Sequence, residues 1–78
     1  METRERLGKS IRALMREQGK NQVEMSKLLG CTHVTANRIC LGKTDMKVDH
    51  LFKLAEWFRV TVDELYQGFD LVMVKNGQ

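Results

Sequence analysis

The chain has 78 residues, of which 42% are hydrophobic, 29% are charged and none is proline. This length allows one domain with one modest core, and this composition excludes a disordered tail. The net charge is +3, and residues 1–50 carry 10 basic against 6 acidic side chains, which weakly favours a polyanionic partner for that part of the molecule.

Hydrophobic periodicity predicts that helices dominate the chain. The first helix covers about residues 6–18, with Thr3 as its N-cap. The second opens at Asn21, whose side chain can form a capping box with Glu24. It ends at Gly30, where glycine can adopt a left-handed backbone at little cost.

The third and fourth helices follow on either side of a short turn. The third begins after Thr32, its N-cap, and continues to about Cys40, and a turn at Gly42 and Lys43 follows. The fourth covers about residues 48–58. Its predicted buried face consists of Val48, Leu51, Leu54, Ala55 and Phe58.

A fifth helix begins after Thr61, with Glu64 completing a second capping box. After Gly68 the pattern changes, because residues 69–74 are β-prone and not helix-periodic. We therefore predict an all-α, five-helix domain over residues 1–68. A short C-terminal tail over 69–78 follows, for which an extended conformation is one option.

Residues 22–41 carry the most informative pattern. Two short helices flank a single-glycine turn, with apolar side chains at the spacing that two helices crossing at roughly 90–120° require. On a helical wheel, one side of the third helix is small or apolar. The other side offers hydrogen-bonding groups and one methyl-bearing residue, which suit the edges of bases in a DNA groove. That outer side consists of His33, Val34, Asn37 and Arg38.

The chain resembles the Cro/CI-type, lambda-repressor-like helix-turn-helix family over about residues 7–65. The residues that carry the resemblance are Gln22–Gly30, Asn37–Ile39, Gly42–Lys43, Leu54–Ala55 and Val60–Leu65. The resemblance implies a compact five-helix fold, transcriptional regulation, and binding of double-stranded DNA as a homodimer on a pseudo-palindromic operator.

The resemblance also implies roles for individual residues. Those that match base-reading positions of the family are His33, Val34, Asn37 and Arg38. Those that match phosphate-binding positions are Gln22, Thr32, Thr35, Lys43 and, on the first helix, Arg12. For Arg38, guanine recognition and a phosphate contact both remain open, because reach depends on the docking angle.

The chain departs from the family pattern at several places. Cys40 and Leu41 stand where the family often has Glu and Asn, which removes polar groups that order the following loop. Ser26 replaces the usual Ala. Arg59 stands where Gly is frequent, so we expect a different cap at the end of the fourth helix.

Two cysteines, Cys31 and Cys40, lie inside the apolar pattern. A small secreted scaffold would carry more of them, so we expect a reducing cytoplasm. The charged first ten residues indicate no signal peptide, and no apolar run is long enough for a membrane span. Cys31, Cys40, His33 and His50 lack the close pairing of a zinc site, so we expect no metal or cofactor, and no small-molecule ligand is evident.

Trp57 and the tail form a candidate self-association surface. An aromatic and aliphatic patch on a small protein often marks an interface. The tentative members are Trp57, Phe69, Leu71, Val72 and Val74. Three alternatives stay open: the tail adds a strand to a second copy, the tail folds back on its own subunit, or the Trp57 ring covers the edge of the core.

The sequence thus favours a sequence-specific DNA-binding regulator, of phage or prophage repressor type. A plasmid regulator or an antitoxin would belong to the same binding class. A protein-interaction adaptor that uses the same scaffold is the alternative from another class. No catalytic constellation is present, so we expect no enzyme.

Overall fold

The computed structural model describes residues 3–67. Four helices are α1 (Thr3–Gln18), α2 (Gln22–Leu29), α3 (His33–Cys40) and α4 (Val48–Phe58). A fifth, α5, is helical over residues 62–67. This part of the chain contains no strand, so the predicted all-α, five-helix fold is confirmed. No helix within 3–67 is both long and apolar enough to cross a membrane.

The first helix begins earlier than its apolar periodicity indicates. Thr3 was predicted as the N-cap, but it already lies in α1. The residues between Thr3 and Leu7 are charged and good helix formers, and Glu5 in the first turn favours the positive end of the helix dipole. Arg4 also lies 3.9 Å from Asp45, which ties the start of α1 to the loop before α4.

Capping boxes start α2 and α5, as the sequence predicts. The Glu24 amide donates to the Asn21 side chain at 2.9 Å, and the Asn21 amide donates to the Glu24 carboxylate at 3.2 Å. At the other end of the domain, the Thr61–Glu64 pair makes the same two bonds, each 3.0 Å long. Each pair satisfies two backbone amides that no helical carbonyl can reach.

The core draws side chains from all five helices. Its fully buried members include Ile11, Met25, Leu54, Phe58 and Leu65. Val48 was predicted to join them, but 66% of its surface is exposed. It lies in the first turn of α4, at the edge of the buried stripe, where no neighbouring helix covers it.

The end of α4 keeps the left-handed geometry typical of glycine, although Arg59 occupies the position. Its φ is 61°, and its amide donates to the Glu56 carbonyl at 3.1 Å while the Val60 amide donates to the Ala55 carbonyl at 2.9 Å. The expected change of cap is therefore wrong. The left-handed geometry is retained. Because Arg59 has a Cβ, this backbone conformation costs roughly 1 kcal/mol.

A close backbone contact joins α1 to the end of α3. Gly8 is buried, and a Cβ at this position would lie 2.6 Å from the Cys40 carbonyl oxygen and 3.0 Å from that of Ile39. Only a residue without a side chain lets the two helices approach this closely.

Replacing Gly8 by Ala tests this contact. Glycine to alanine within a helix normally stabilises by about 0.5–1 kcal/mol. Here we expect the free energy of unfolding to fall by about 2 kcal/mol, because the new methyl group collides with fixed backbone. Urea denaturation measures it, with Arg16→Ala on the exposed side of α1 as the control. A gain in stability for Gly8→Ala would contradict the contact.

Replacing Arg59 by Gly tests the strain at the end of α4. Glycine adopts the left-handed conformation without the steric cost that a Cβ imposes, but it loses more backbone entropy on folding. We therefore expect the free energy of unfolding to rise by about 0.5 kcal/mol. Arg59→Ala is the matched control, because it removes the same side-chain charge but keeps the Cβ. Equal stabilisation by both variants would mean that the charge, not the backbone, is responsible.

Candidate nucleic-acid interface

The turn between α2 and α3 is fixed by local bonds. Gly30 has a φ of 66°, and the Cys31 amide donates to the Ser26 carbonyl at 3.0 Å, which closes the end of α2. Thr32 then caps α3, since its hydroxyl accepts from the Thr35 amide at 3.1 Å. The predicted turn and the predicted start of α3 are both confirmed, so the first residue of α3 is fixed relative to α2.

The inner face of α3 anchors this helix to the core. Ala36, Ile39 and Cys40 are buried, as the helical wheel predicts. The Cys40 thiol lies 3.7 Å from the Met25 sulfur on α2. Because these contacts leave α3 little freedom to rotate or slide, its other face has a fixed orientation.

The outer face of α3 points to solvent. His33, Val34, Asn37 and Arg38 are all exposed, and 70% of the Val34 surface is accessible. The helix contains no acidic side chain. Its N-terminal end, which carries the partial positive charge of the helix dipole, begins at His33. The four side chains that the sequence predicts for base reading therefore share one surface, and nothing on α3 would repel a polyanion.

A hydrogen bond connects the start of α2 to this surface. The Gln22 side-chain amide donates to the Asn37 Oδ1 at 3.3 Å. Gln22 is half-buried and Asn37 exposed. The bond occupies a lone pair of Asn37 and leaves its amide group free to donate outward. The two residues that the sequence assigned separately, one to phosphate and one to bases, thus form a single unit.

Arg12 approaches the same region from α1. Its Nε donates to the Gly8 carbonyl at 3.4 Å, and its positive charge acts on the Cys40 thiol. Burial raises the pKa of Cys40, while the charge of Arg12 and a hydrogen bond from Gln22 oppose that rise. Arg12 and Gln22 therefore both act on the Cys40 thiol. The raised pKa keeps this thiol protonated at neutral pH.

Two further basic residues lie beside Arg12 on α1. A shallow concavity of about 200 Å³ is lined by Lys9, Arg12, Ala13 and Arg16. The sequence analysis assigned only Arg12 to DNA. The spacing of three and four residues, which places Lys9, Arg12 and Arg16 on one face of a helix, was the signal that could have indicated the other two.

The remaining phosphate candidates flank α3. Thr32 and Lys43 are exposed and Thr35 is half-buried, at the two ends of the helix. The start of the loop that carries Lys43 is closed by a backbone bond, since the Lys43 amide donates to the Arg38 carbonyl at 2.9 Å. Gly42 has a φ of 72°, and a Cβ there would lie 2.7 Å from the Glu5 Cα. Backbone bonds and backbone contact therefore replace the missing Glu and Asn.

Trp57 packs against the core. It is half-buried, with its ring 5.0 Å from that of Phe58 and the Lys20 ammonium 5.4 Å from its centroid. Its surroundings favour the alternative in which the ring covers the edge of the core. The other four residues of the predicted self-association surface, Phe69, Leu71, Val72 and Val74, lie outside the described residues.

No metal centre accompanies the interface in the region that the structure describes. Residues 3–67 contain no group of three or more His, Cys, Asp or Glu side chains placed to hold an ion. Cys31 is half-buried and Cys40 buried, and both are free thiols.

Comparison with known proteins gives one match. A family model described as helix-turn-helix matches residues 11–65, which is more than half of the chain and includes all of α2, α3 and α4. No curated protein and no solved structure matches the chain.

Proposed function

Because the chain belongs to the Cro/CI-type helix-turn-helix family of DNA-binding transcription regulators, we propose that it is a repressor of phage or prophage type. In this proposal the protein acts in the cytoplasm, and α3 enters the major groove of DNA. Two copies bind the two halves of a pseudo-palindromic operator, so that each recognition helix reads one half-site.

The observation that carries the proposal is the division of α3 into two faces. Its inner face is fixed in the core by Ala36, Ile39 and Cys40, and its outer face exposes side chains that the fold does not use. A major groove about 12 Å wide admits a helix of this kind. Since α3 cannot rotate without exposing its buried face, the same side chains meet the bases in every encounter.

Base recognition follows from the chemistry of the outer face. Arg38 offers the paired donors that match the O6 and N7 acceptors of guanine. Val34 offers methyl groups that can contact the methyl group of thymine. Asn37, with its Oδ1 engaged by Gln22, presents its amide as a donor. We therefore propose an operator half-site that contains guanine and thymine within reach of α3.

Phosphate contacts position the helix. Gln22, Thr32 and Lys43 flank α3, Thr35 lies in its first turn, and Arg12 on α1 acts on the Cys40 thiol at its end. Contacts of this kind fix register and orientation without reading sequence, and each cation that neutralises a phosphate adds to the salt dependence of binding. Lys9 and Arg16 would lengthen the contacted stretch of backbone.

Arg38→Ala tests base reading. We expect at least a tenfold loss of affinity for operators selected from a random DNA pool, because a bidentate guanine contact is worth about 1–3 kcal/mol. Preference should relax at one position in each half-site. Fluorescence anisotropy with selected and scrambled DNA measures both effects, and Arg59→Ala, which removes the same charge at the end of α4, is the control. An equal loss on both DNAs would assign Arg38 to phosphate.

Gln22→Ala tests the unit formed with Asn37. We expect several-fold weaker binding to all DNA with little change in preference, because the lost contact is to the backbone. A double-mutant cycle with Asn37→Ala measures the coupling across the hydrogen bond. No loss for Gln22→Ala would remove this residue from the site. Wild-type protein that ignores DNA even at low salt would instead support a protein-interaction adaptor.

A further inference from the structure

Helix α4 exposes two large apolar side chains on one flank. Val48 is 66% exposed and Phe52 is 61% exposed, and they lie one turn apart, so they form a continuous strip. Within residues 3–67, the other large exposed apolar residues, Val23, Val34 and Leu41, lie on α2, on α3 and just after α3. In the described part of the chain, Val48 and Phe52 form the one such pair that shares a helix, and neither has a role in the core or on the outer face of α3.

A charged strip runs beside this apolar pair. Asp49 and Lys53 each follow one of its members in sequence, and their side chains form an ion pair at 3.3 Å with the Asp49 side chain 73% exposed. Along α4, an apolar and a negative side chain are therefore followed, one turn later, by an apolar and a positive side chain. Two copies of this pattern complement each other when they run in opposite directions. If a second α4 runs antiparallel across a two-fold axis, Val48 meets Phe52 and Asp49 meets Lys53 in both directions.

We infer that this face, the α4 face, binds a second copy of the same chain. The two α4 helices pack antiparallel, with each Phe52 ring against Val48 of the other copy and two ion pairs between copies. The Trp57 side of α4 is a poorer candidate, because Phe58 and Lys20 already cover that ring. The inference rests on the proposed function in one respect: the dimer would pair the two recognition helices that the operator requires. Self-association through the α4 face does not itself require DNA.

The size of the face sets the strength of the dimer. Two large apolar side chains per copy cover far less than the roughly 800 Å² per partner of a standard interface. We therefore expect monomers at low micromolar concentration and dimers at higher concentration. On an operator, two adjacent half-sites raise the effective concentration of one copy near the other, so that a weak contact is sufficient.

Sedimentation equilibrium of the full chain without DNA, from about 1 to 500 μM, tests the inference. We expect a concentration-dependent monomer–dimer equilibrium. Phe52→Glu should weaken it at least tenfold, because each new carboxylate would be buried against the apolar Val48 side chain of the other copy. Val23→Glu is the matched control, since it places the same charge on an exposed apolar residue of α2, and it should dimerise like the wild type. Circular dichroism confirms that each variant is folded.

Charge exchange tests the antiparallel arrangement. Asp49→Lys makes the charged strip wholly positive, and Lys53→Glu makes it wholly negative. Each variant alone should lose self-association at least tenfold. An equimolar mixture should form heterodimers about as well as the wild type does, because every pair across the axis is then opposite in charge. These exposed substitutions leave the core intact.

Three results would overturn the inference. They are a wild-type chain that stays monomeric throughout, a Phe52→Glu variant that dimerises normally, and a charge-variant mixture that forms no heterodimer. The first would arise if a foreign partner or another part of this chain occupies the α4 face, and the last if the two helices do not pack antiparallel. Since the assays contain no DNA, a negative result would not contradict the proposed DNA-binding function. Conversely, a protein that does not bind DNA could still form the proposed dimer.

Discussion

Contact between the backbones of α1 and the end of α3 is the constraint on which the interface depends. Gly8 lies against the last carbonyls of α3, and Gly42 lies against the first turn of α1, at distances that no Cβ would allow. Backbone atoms cannot change rotamer, so this contact is stiffer than one between side chains. Together with the buried face of α3, it fixes the C-terminal end of this helix relative to the core.

This stiffness explains how the chain dispenses with the polar loop residues that its family often has. Cys40 is buried and Leu41 is nearly half exposed, so neither orders the loop through its side chain. The bond from the Lys43 amide to the Arg38 carbonyl, and the fit of Gly42 against α1, perform that function. Lys43 is therefore directed by backbone geometry. The exposed side chains of α3 take no part in ordering this loop.

Local chemistry made much of the fold predictable from the sequence. The capping boxes at Asn21 and Thr61 and the turn at Gly30 depend on neighbouring residues alone. Features that depend on distant parts of the chain were not predictable. Val48 has the spacing of a core residue, but no neighbouring helix covers it. The close approach at Gly8 and the hydrogen bond between Gln22 and Asn37 join separate helices, and nothing in the local sequence marks either one.

The same distinction separates the residues of the fold from those of function. A side chain that the fold requires is buried or caps a helix, as Ile11 and Asn21 do. Val34 and Phe52 do neither. Each exposes apolar surface to water and contributes little to the packing of the fold. Burying such surface against a partner lowers the free energy, because apolar surface is then removed from water. The two lie on different helices, so one partner surface need not cover both. Thymine methyl groups suit the first and a second copy of the chain suits the second, and together they would place two recognition helices on one operator.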